Sequence, residues 1–298
     1  MGGAEGAKSA YTHRRSEEED LSPYDQLPSD GHDDGLTRDL ATLDALYARR
    51  QALGWLGAAG ALALLPSASV GQAASKRSAA CVAAPVETAG PFPADGTNVA
   101  RGAISNALAA RGIVRSDIRA SFVGSRGVAA GMPLDLILTL VDAATCSPLA
   151  GHAVYVWQSD AQGLYSLYTI PSESYLRGVQ RTDADGQVRF TSIVPGCYDG
   201  RYPHIHVQVF ASLDAALTGR DALLTSQLII PAAAANAAFA DAAIYPGSAD
   251  AFARFSLARD YVFRDNSAEQ LAAMTLDATR GTGGYEAQGR IALAGVSA

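Results

Sequence analysis

Apolar and polar positions alternate strictly between residues 134 and 141, where Leu134, Leu136, Leu138 and Leu140 interleave with Asp135, Ile137, Thr139 and Val141. Period-two alternation with one all-leucine face predicts a strand lying on a core. Ala153–Trp157, Gln187–Ile193, His204–Phe210 and Leu223–Ile230 behave similarly, and Tyr285–Leu293 reads as a last strand. The run Arg181-Thr182-Asp183-Ala184-Asp185-Gly186 has the Asp-Gly chemistry of a hairpin turn between strands. Helical spacing is confined to Gly102–Ala110, Leu213–Arg220, Ala232–Ala242 and Ala268–Met274. Several short strands with turn punctuation predict an all-β class: a β-sandwich with a few short helices and long loops.

The pattern changes sharply upstream. Residues 1–48 are rich in Gly, Ser, Asp and Glu, with few apolar residues before Leu36. Such a composition buries too little surface to offset ordering, so this stretch is expected to be an acidic, mostly disordered leader, with a short helix over 36–48. Arg49-Arg50-Gln51-Ala52-Leu53-Gly54 follows, then a moderately apolar run from Trp55 to Leu65, then Pro66 and small residues to Ala73-Ala74. Residues 49–74 therefore resemble a twin-arginine export signal. That resemblance implies the twin-arginine export machinery as a partner and an exported location: periplasm, cell envelope or extracellular space. The apolar run is short against the roughly 20 residues of a membrane-spanning helix. Residues 75–298 are expected to form the folded domain.

Charge sharpens this division. The chain of 298 residues carries a formal net charge of -7, and residues 1–48 hold eleven acidic against four basic residues. The remainder has 19 of each sign and is neutral overall. The body has no basic excess for a phosphate backbone, so no nucleic-acid partner is expected. A hydrophobic content of 48% is enough for a real core.

Candidate chemistry sits in the body's few histidines: His152, His204 and His206. The last two lie in Arg201-Tyr202-Pro203-His204-Ile205-His206. On a strand, residues two apart share a face about 6–7 Å apart, so two imidazoles there can converge on one metal ion. Tyr198 precedes them in Val194-Pro195-Gly196-Cys197-Tyr198, and Tyr165 lies in Trp157-Gln158-Ser159-Asp160-Ala161-Gln162-Gly163-Leu164-Tyr165-Ser166.

In order and spacing these segments resemble the intradiol ring-cleavage dioxygenases over roughly residues 80–294. In that family the first tyrosine sits in a Trp-His-x-x-x-x-Gly-x-Tyr-Ser segment and the second follows a Val-Pro or Tyr-Pro turn. An Arg-x-Pro-His-Ile-His-like run then carries both histidines. Leu176-Arg177-Gly178 and Thr182-Asp183-Ala184-Asp185-Gly186 match two further family segments. The resemblance implies a sandwich of the intradiol type and a non-haem Fe(III) held by Tyr165, Tyr198, His204 and His206. It implies cleavage of an aromatic vicinal diol by O2, between the two hydroxylated carbons, to a ring-opened dicarboxylate. Tyr198 would be the axial ligand that leaves and takes a substrate proton as a base. Arg201 would stabilise anionic character at the ring, and Gln227 matches a family glutamine near it. The chemistry is consistent: phenolate is a hard donor, imidazole suits iron, and a bound cation favours loss of a phenol proton whose ordinary pKa is about 10.

Where the family has a histidine after the tryptophan, this chain has Gln158, and Cys197 stands where exported members often carry an aromatic residue. Too few residues precede Leu134 for the helical dimerisation domain of cytoplasmic catechol members, so the compact exported subgroup is the nearer match. In that subgroup two cysteines recur at the places of Cys81 and Cys146, which implies a Cys81–Cys146 disulfide and leaves Cys197 as a thiol. The competing reading is a catalytically inactive β-sandwich module that binds carbohydrate or protein in the cell envelope. The aromatic diol, among catechol, protocatechuate, hydroxyquinol and lignin-derived compounds, stays open, as does a homodimeric state.

Overall fold

The computed structural model describes residues 81–100, 103–198 and 200–295. The expected leader (1–48) and the expected export signal (49–74) lie outside the described residues, and among the described residues no helix is long and apolar enough to cross a membrane.

Two four-stranded sheets face each other. Strands β3 (Pro133–Asp142), β6 (Gln187–Ile193), β9 (Asp277–Arg280) and β10 (Tyr285–Leu293) form one, in the order β6-β3-β10-β9. Strands β4 (Ala153–Trp157), β5 (Arg177–Arg181), β7 (His204–Phe210) and β8 (Leu224–Ile229) form the other, in the order β5-β4-β7-β8. A separate hairpin pairs β1 (Asp95–Ala100) with β2 (Ala103–Asn106). The helices are short: α1 (Leu213–Thr218), α2 (Ala232–Phe239), α3 (Ser248–Arg254) and α4 (Ala268–Met274). This is the predicted sandwich.

The leucine face of β3 does what its alternation demands. Leu134, Leu136, Leu138 and Leu140 are buried between the sheets against Val154 and Val156 of β4 and Ile205, Val207 and Val209 of β7. Each such side chain contributes roughly 1.5–3 kcal/mol relative to exposure. The other face of the β4/β7 sheet is also covered. Tyr155, Trp157, Phe210 and Tyr165 pack there with Leu108, Ile113 and Ala216, under the chain's N-terminal arm and α1. This explains why every residue of β7 is buried.

Three expectations are corrected. The helix expected over Gly102–Ala110 is absent; β2 occupies Ala103–Asn106 and turns follow it. The alanine-rich spacing allowed a helix, but antiparallel pairing with β1 supplies the backbone bonds, and the Asn106 carboxamide takes the Ala109 N–H in the turn. The 181–186 turn forms as expected, with Asp183 accepting from the Asp185 and Gln187 N–H groups. It joins no hairpin, however: β5 pairs with β4, β6 pairs with β3, and the turn passes the chain between sheets. The helix expected over Leu213–Arg220 stops at Thr218, because Gly219 takes the left-handed conformation at its C-cap.

A disulfide joins Cys81 to Cys146, tying the start of the arm to the turn after β3. From there the arm passes β10 and then β8 before it reaches the outer face of the β4/β7 sheet. Ala84 N–H donates to Ala292 and Glu87 N–H to Thr225. Cys197 is in no disulfide and its side chain is buried.

Candidate metal centre

His204 and His206 project from the face of β7 opposite Ile205, Val207 and Val209, so they stand outside the sandwich interior, beneath the arm. Trp157 on β4 and Gln227 on β8 lie directly opposite His206 in register. Trp157 stacks on the His206 ring with centroids 4.7 Å apart and planes within 6°, which holds the imidazole plane. His204 Nδ1 lies 2.6 Å from the Tyr202 carbonyl oxygen. Only a protonated Nδ1 can donate there, so Nε2 keeps its lone pair.

Two loops bring in the tyrosines. In the first, the Asp160 carboxylate accepts from the Gln162 and Leu164 N–H groups and from the Tyr175 hydroxyl. Thr169 Oγ1 accepts the Tyr165 N–H at 2.6 Å, and Phe92 of the arm packs on the Tyr165 ring at 4.8 Å. Arg177, fully buried, grips the same loop through Ser166 Oγ and the Ser166 carbonyl, and reaches the Phe92 and Pro93 carbonyls of the arm. In the second loop Ser248, at the start of α3, takes the Cys197 N–H. The loops lock together at Gly196, whose N–H donates to the Asp160 carbonyl at 2.8 Å.

The four polar tips converge. Tyr165 Oη lies 3.1 Å from Tyr198 Oη and 3.2 Å from His206 Nε2. Tyr198 Oη lies 3.4 Å from His204 Nε2, and the two Nε2 atoms are 3.1 Å apart. Donors about 2.0–2.1 Å from one ion, subtending about 90–110°, lie roughly 2.9–3.4 Å apart. The four edges thus suit a single first-row metal ion, and two phenols with two imidazoles make a donor set that suits iron. Among the described residues no group of three or more His, Cys, Asp or Glu side chains is arranged to hold a metal, so an ion here depends on the phenol oxygens. Tyr165, His204 and His206 are buried, and Tyr198 is the one of the four with part of its surface exposed.

Without a cation all four groups are neutral. Burial pushes the Tyr165 hydroxyl up to about 12, against the opposing pull of its Tyr198 hydrogen bond and of Arg201 and Arg177. Burial, reinforced by Tyr165, carries Tyr198 well above 10.0. Burial drives both imidazoles well below 6.5; Arg201 adds to this in His204, and His204, Arg201 and Arg177 add to it in His206.

Arg201 is the one cation, among the described residues, that biases all four donors. Its guanidinium is buried, pairs with Asp260 at 3.1 Å and donates to the Gln227 carboxamide oxygen. Gln227 in turn donates to the Thr88 carbonyl of the arm at 3.0 Å. Gln227 therefore spends both ends of its amide on holding Arg201 and the arm. Gln158 is turned away from the cluster, bridging Ser192 and the Ile193 carbonyl across the sandwich.

Sequence reasoning missed Asp260 and the arm residues Gly90 and Phe92. A Cβ on Gly90, whose φ is +68°, would sit 3.3 Å from the His206 ring. The Gly90-Pro91-Phe92-Pro93 run was a usable signal for packing. Asp260 carried none, being 59 residues from Arg201 in the chain.

A family model described as Dioxygenase matches residues 122–229, the span holding all four converging residues. No curated protein matches the chain by sequence. Among solved structures, an intradiol ring-cleavage dioxygenase from Tetranychus urticae aligns at 21% identity and a TM-score of 0.51, covering 73% of this chain and 96% of that one. A second dioxygenase crystal structure aligns at 22% identity and a TM-score of 0.53, with the same coverages. A 3-chlorocatechol 1,2-dioxygenase from Rhodococcus opacus 1CP aligns at 18% identity and a TM-score of 0.43, covering 72% and 73%. The chain has the intradiol ring-cleavage dioxygenase fold, and its central segment matches the Dioxygenase family.

Proposed function

We propose that the chain is an exported non-haem Fe(III) dioxygenase that cleaves a catechol-type ring between its two hydroxylated carbons with O2, yielding a ring-opened dicarboxylate. The observation that carries this reading is the convergence of Tyr165, Tyr198, His204 and His206, with donor atoms 3.1–3.4 Å apart, in a chain of intradiol fold. These four residues would hold the iron, which supplies a Lewis acid that binds and activates the diol for reaction with O2. Tyr165, His204 and His206, buried and braced by Phe92, Tyr202 and Trp157, are the fixed donors. Tyr198, the least buried of the four, is the residue placed to give way to the diol and accept one of its protons at Oη. Arg201 stabilises the negative charge that develops on the ring. Because both phenols are neutral beforehand, loading the ion displaces about two protons.

The Cys81–Cys146 disulfide supports the exported location, since such bonds persist in oxidising compartments. Replacing Arg49 and Arg50 by Lys in the native host tests it: export unchanged in the double variant contradicts the twin-arginine reading.

The direct test uses the full chain, loaded with iron. About one iron per chain, a visible tyrosinate charge-transfer band and a band shift on anaerobic addition of catechol are expected, followed by ring-opened dicarboxylate once oxygen is admitted. A colourless chain that takes up no iron even after reconstitution overturns the reading in favour of a non-catalytic binding module.

A further inference from the structure

Asp260 lies in the turns that follow α3 and is completely buried. Its carboxylate takes four donors. Oδ1 accepts from the Val262 and Phe263 N–H groups at 2.9 and 3.4 Å. Oδ2 accepts the Tyr202 N–H at 2.6 Å and Arg201 Nε at 3.1 Å. Three backbone amides thus hold the carboxylate in place independently of Arg201 and give its buried oxygens partners. The guanidinium is clamped from the other end by Gln227, which stands across from His206. The guanidinium carbon also lies over the Tyr261 and Phe263 rings, 5.0 and 5.8 Å from their centroids. Asp260 therefore sets the position and plane of the cation that biases all four donors, while touching none of them itself.

We propose that Asp260 is the positioning residue for Arg201 in the ring-cleavage reaction, acting on bound diol only through the guanidinium. The inference rests on the functional reading above. A purely structural carboxylate, pinning residues 201 and 202 to the turn at 260–263, would affect folding and iron retention. A positioning carboxylate affects the diol complex and its turnover in a way that depends on Arg201.

The test is a double-mutant cycle on the full, iron-loaded chain with Asp260→Asn, Arg201→Gln and the pair. Each is read by iron content, by anaerobic catechol affinity from the shift of the visible band, and by kcat/KM. Asp260→Asn is expected to keep its iron, and to lose about 10–100-fold in kcat/KM with weaker catechol binding, the range for residues that orient a metal site's inner groups. Placed on Arg201→Gln it is expected to add no more than about a twofold loss, because the group it positions is already gone. If the Asn chain does not fold, Asp260→Glu, which keeps the charge and moves it by one methylene, takes its place in the cycle. Wild-type kcat/KM and catechol affinity in the Asp260 variant overturn the proposal, as do losses that multiply in the double variant. Both results leave the dioxygenase reading standing; a wild-type chain that takes up no iron overturns both.

Discussion

Each of the four converging side chains is held in a form that a cation alone would change. His204 and His206 have folded-state pKa values depressed below 6.5, by burial first and by neighbouring charge second. In the metal-free chain the folded state stays neutral while the unfolded chain takes up protons below that value. A depressed folded pKa contributes stability that is present above 6.5 and is lost as the pH falls. Urea unfolding of the metal-free chain is therefore expected to show a lower midpoint at about pH 5.5 than at about pH 7.5. The difference should shrink in a His204→Gln/His206→Gln variant; an equal difference in that variant would show that other groups cause it. Tyr165→Phe removes one donor and keeps the ring that packs on Phe92. It is expected to fold normally and to hold iron more weakly by at least about 10–100-fold, read as iron per chain after dialysis; unchanged retention would remove Tyr165 from the donor set. At this scale much was legible. The two-residue spacing of the histidines and the two tyrosine segments marked the residues that meet. The tautomer of His204 was not legible, because it is decided by the Tyr202 carbonyl, and Asp260 was not, because an aspartate in a turn looks the same whether or not an arginine finds it.

Among the elements, β3 and β7 were readable because a strand's period is written in adjacent residues. The 102–110 stretch misled because alanine spacing suits a helix, while pairing with β1 lies beyond local preference. The tyrosine loops depend on a close approach of the same non-local kind. A Cβ on Gly196 would lie 2.5 Å from the Ala161 carbonyl oxygen and 2.8 Å from the Gly163 nitrogen, both backbone atoms with little freedom to move. Gly196→Ala is expected to destabilise the chain by about 1–3 kcal/mol through overpacking. It should also weaken iron retention, because it separates the loops that carry Tyr165 and Tyr198. Thermal unfolding and iron content measured on the same sample check both; loss of stability with full iron retention would show that the loops move together.

For the molecule as a whole, the disulfide is the longest-range covalent constraint, closing a sequence separation of 65 residues between the arm and the β3 turn. Replacing both Cys81 and Cys146 by Ser is expected to lower unfolding stability by about 2–4 kcal/mol. The arm's hydrogen bonds to Ala292, Thr225 and Gln227 should still keep it over the site. Denaturant midpoints of oxidised wild type and the double variant test this, and identical midpoints would rule out a stabilising role. The amino-acid sequence by itself determined the β-rich class, most strand positions, the concentration of the net negative charge in the first 48 residues, and the residue types of the candidate metal site. These are properties of neighbours in the chain and of short spacings. Only the tertiary structure decided that β3 takes β10 as a parallel partner, that the turn at 181–186 changes sheets, and that the arm roofs the outer face of β7. It alone decided that Arg201 is set by Asp260 and Gln227. Those outcomes follow from burying whole faces and satisfying buried charges at once, a condition on residues far apart in the chain that no local pattern records.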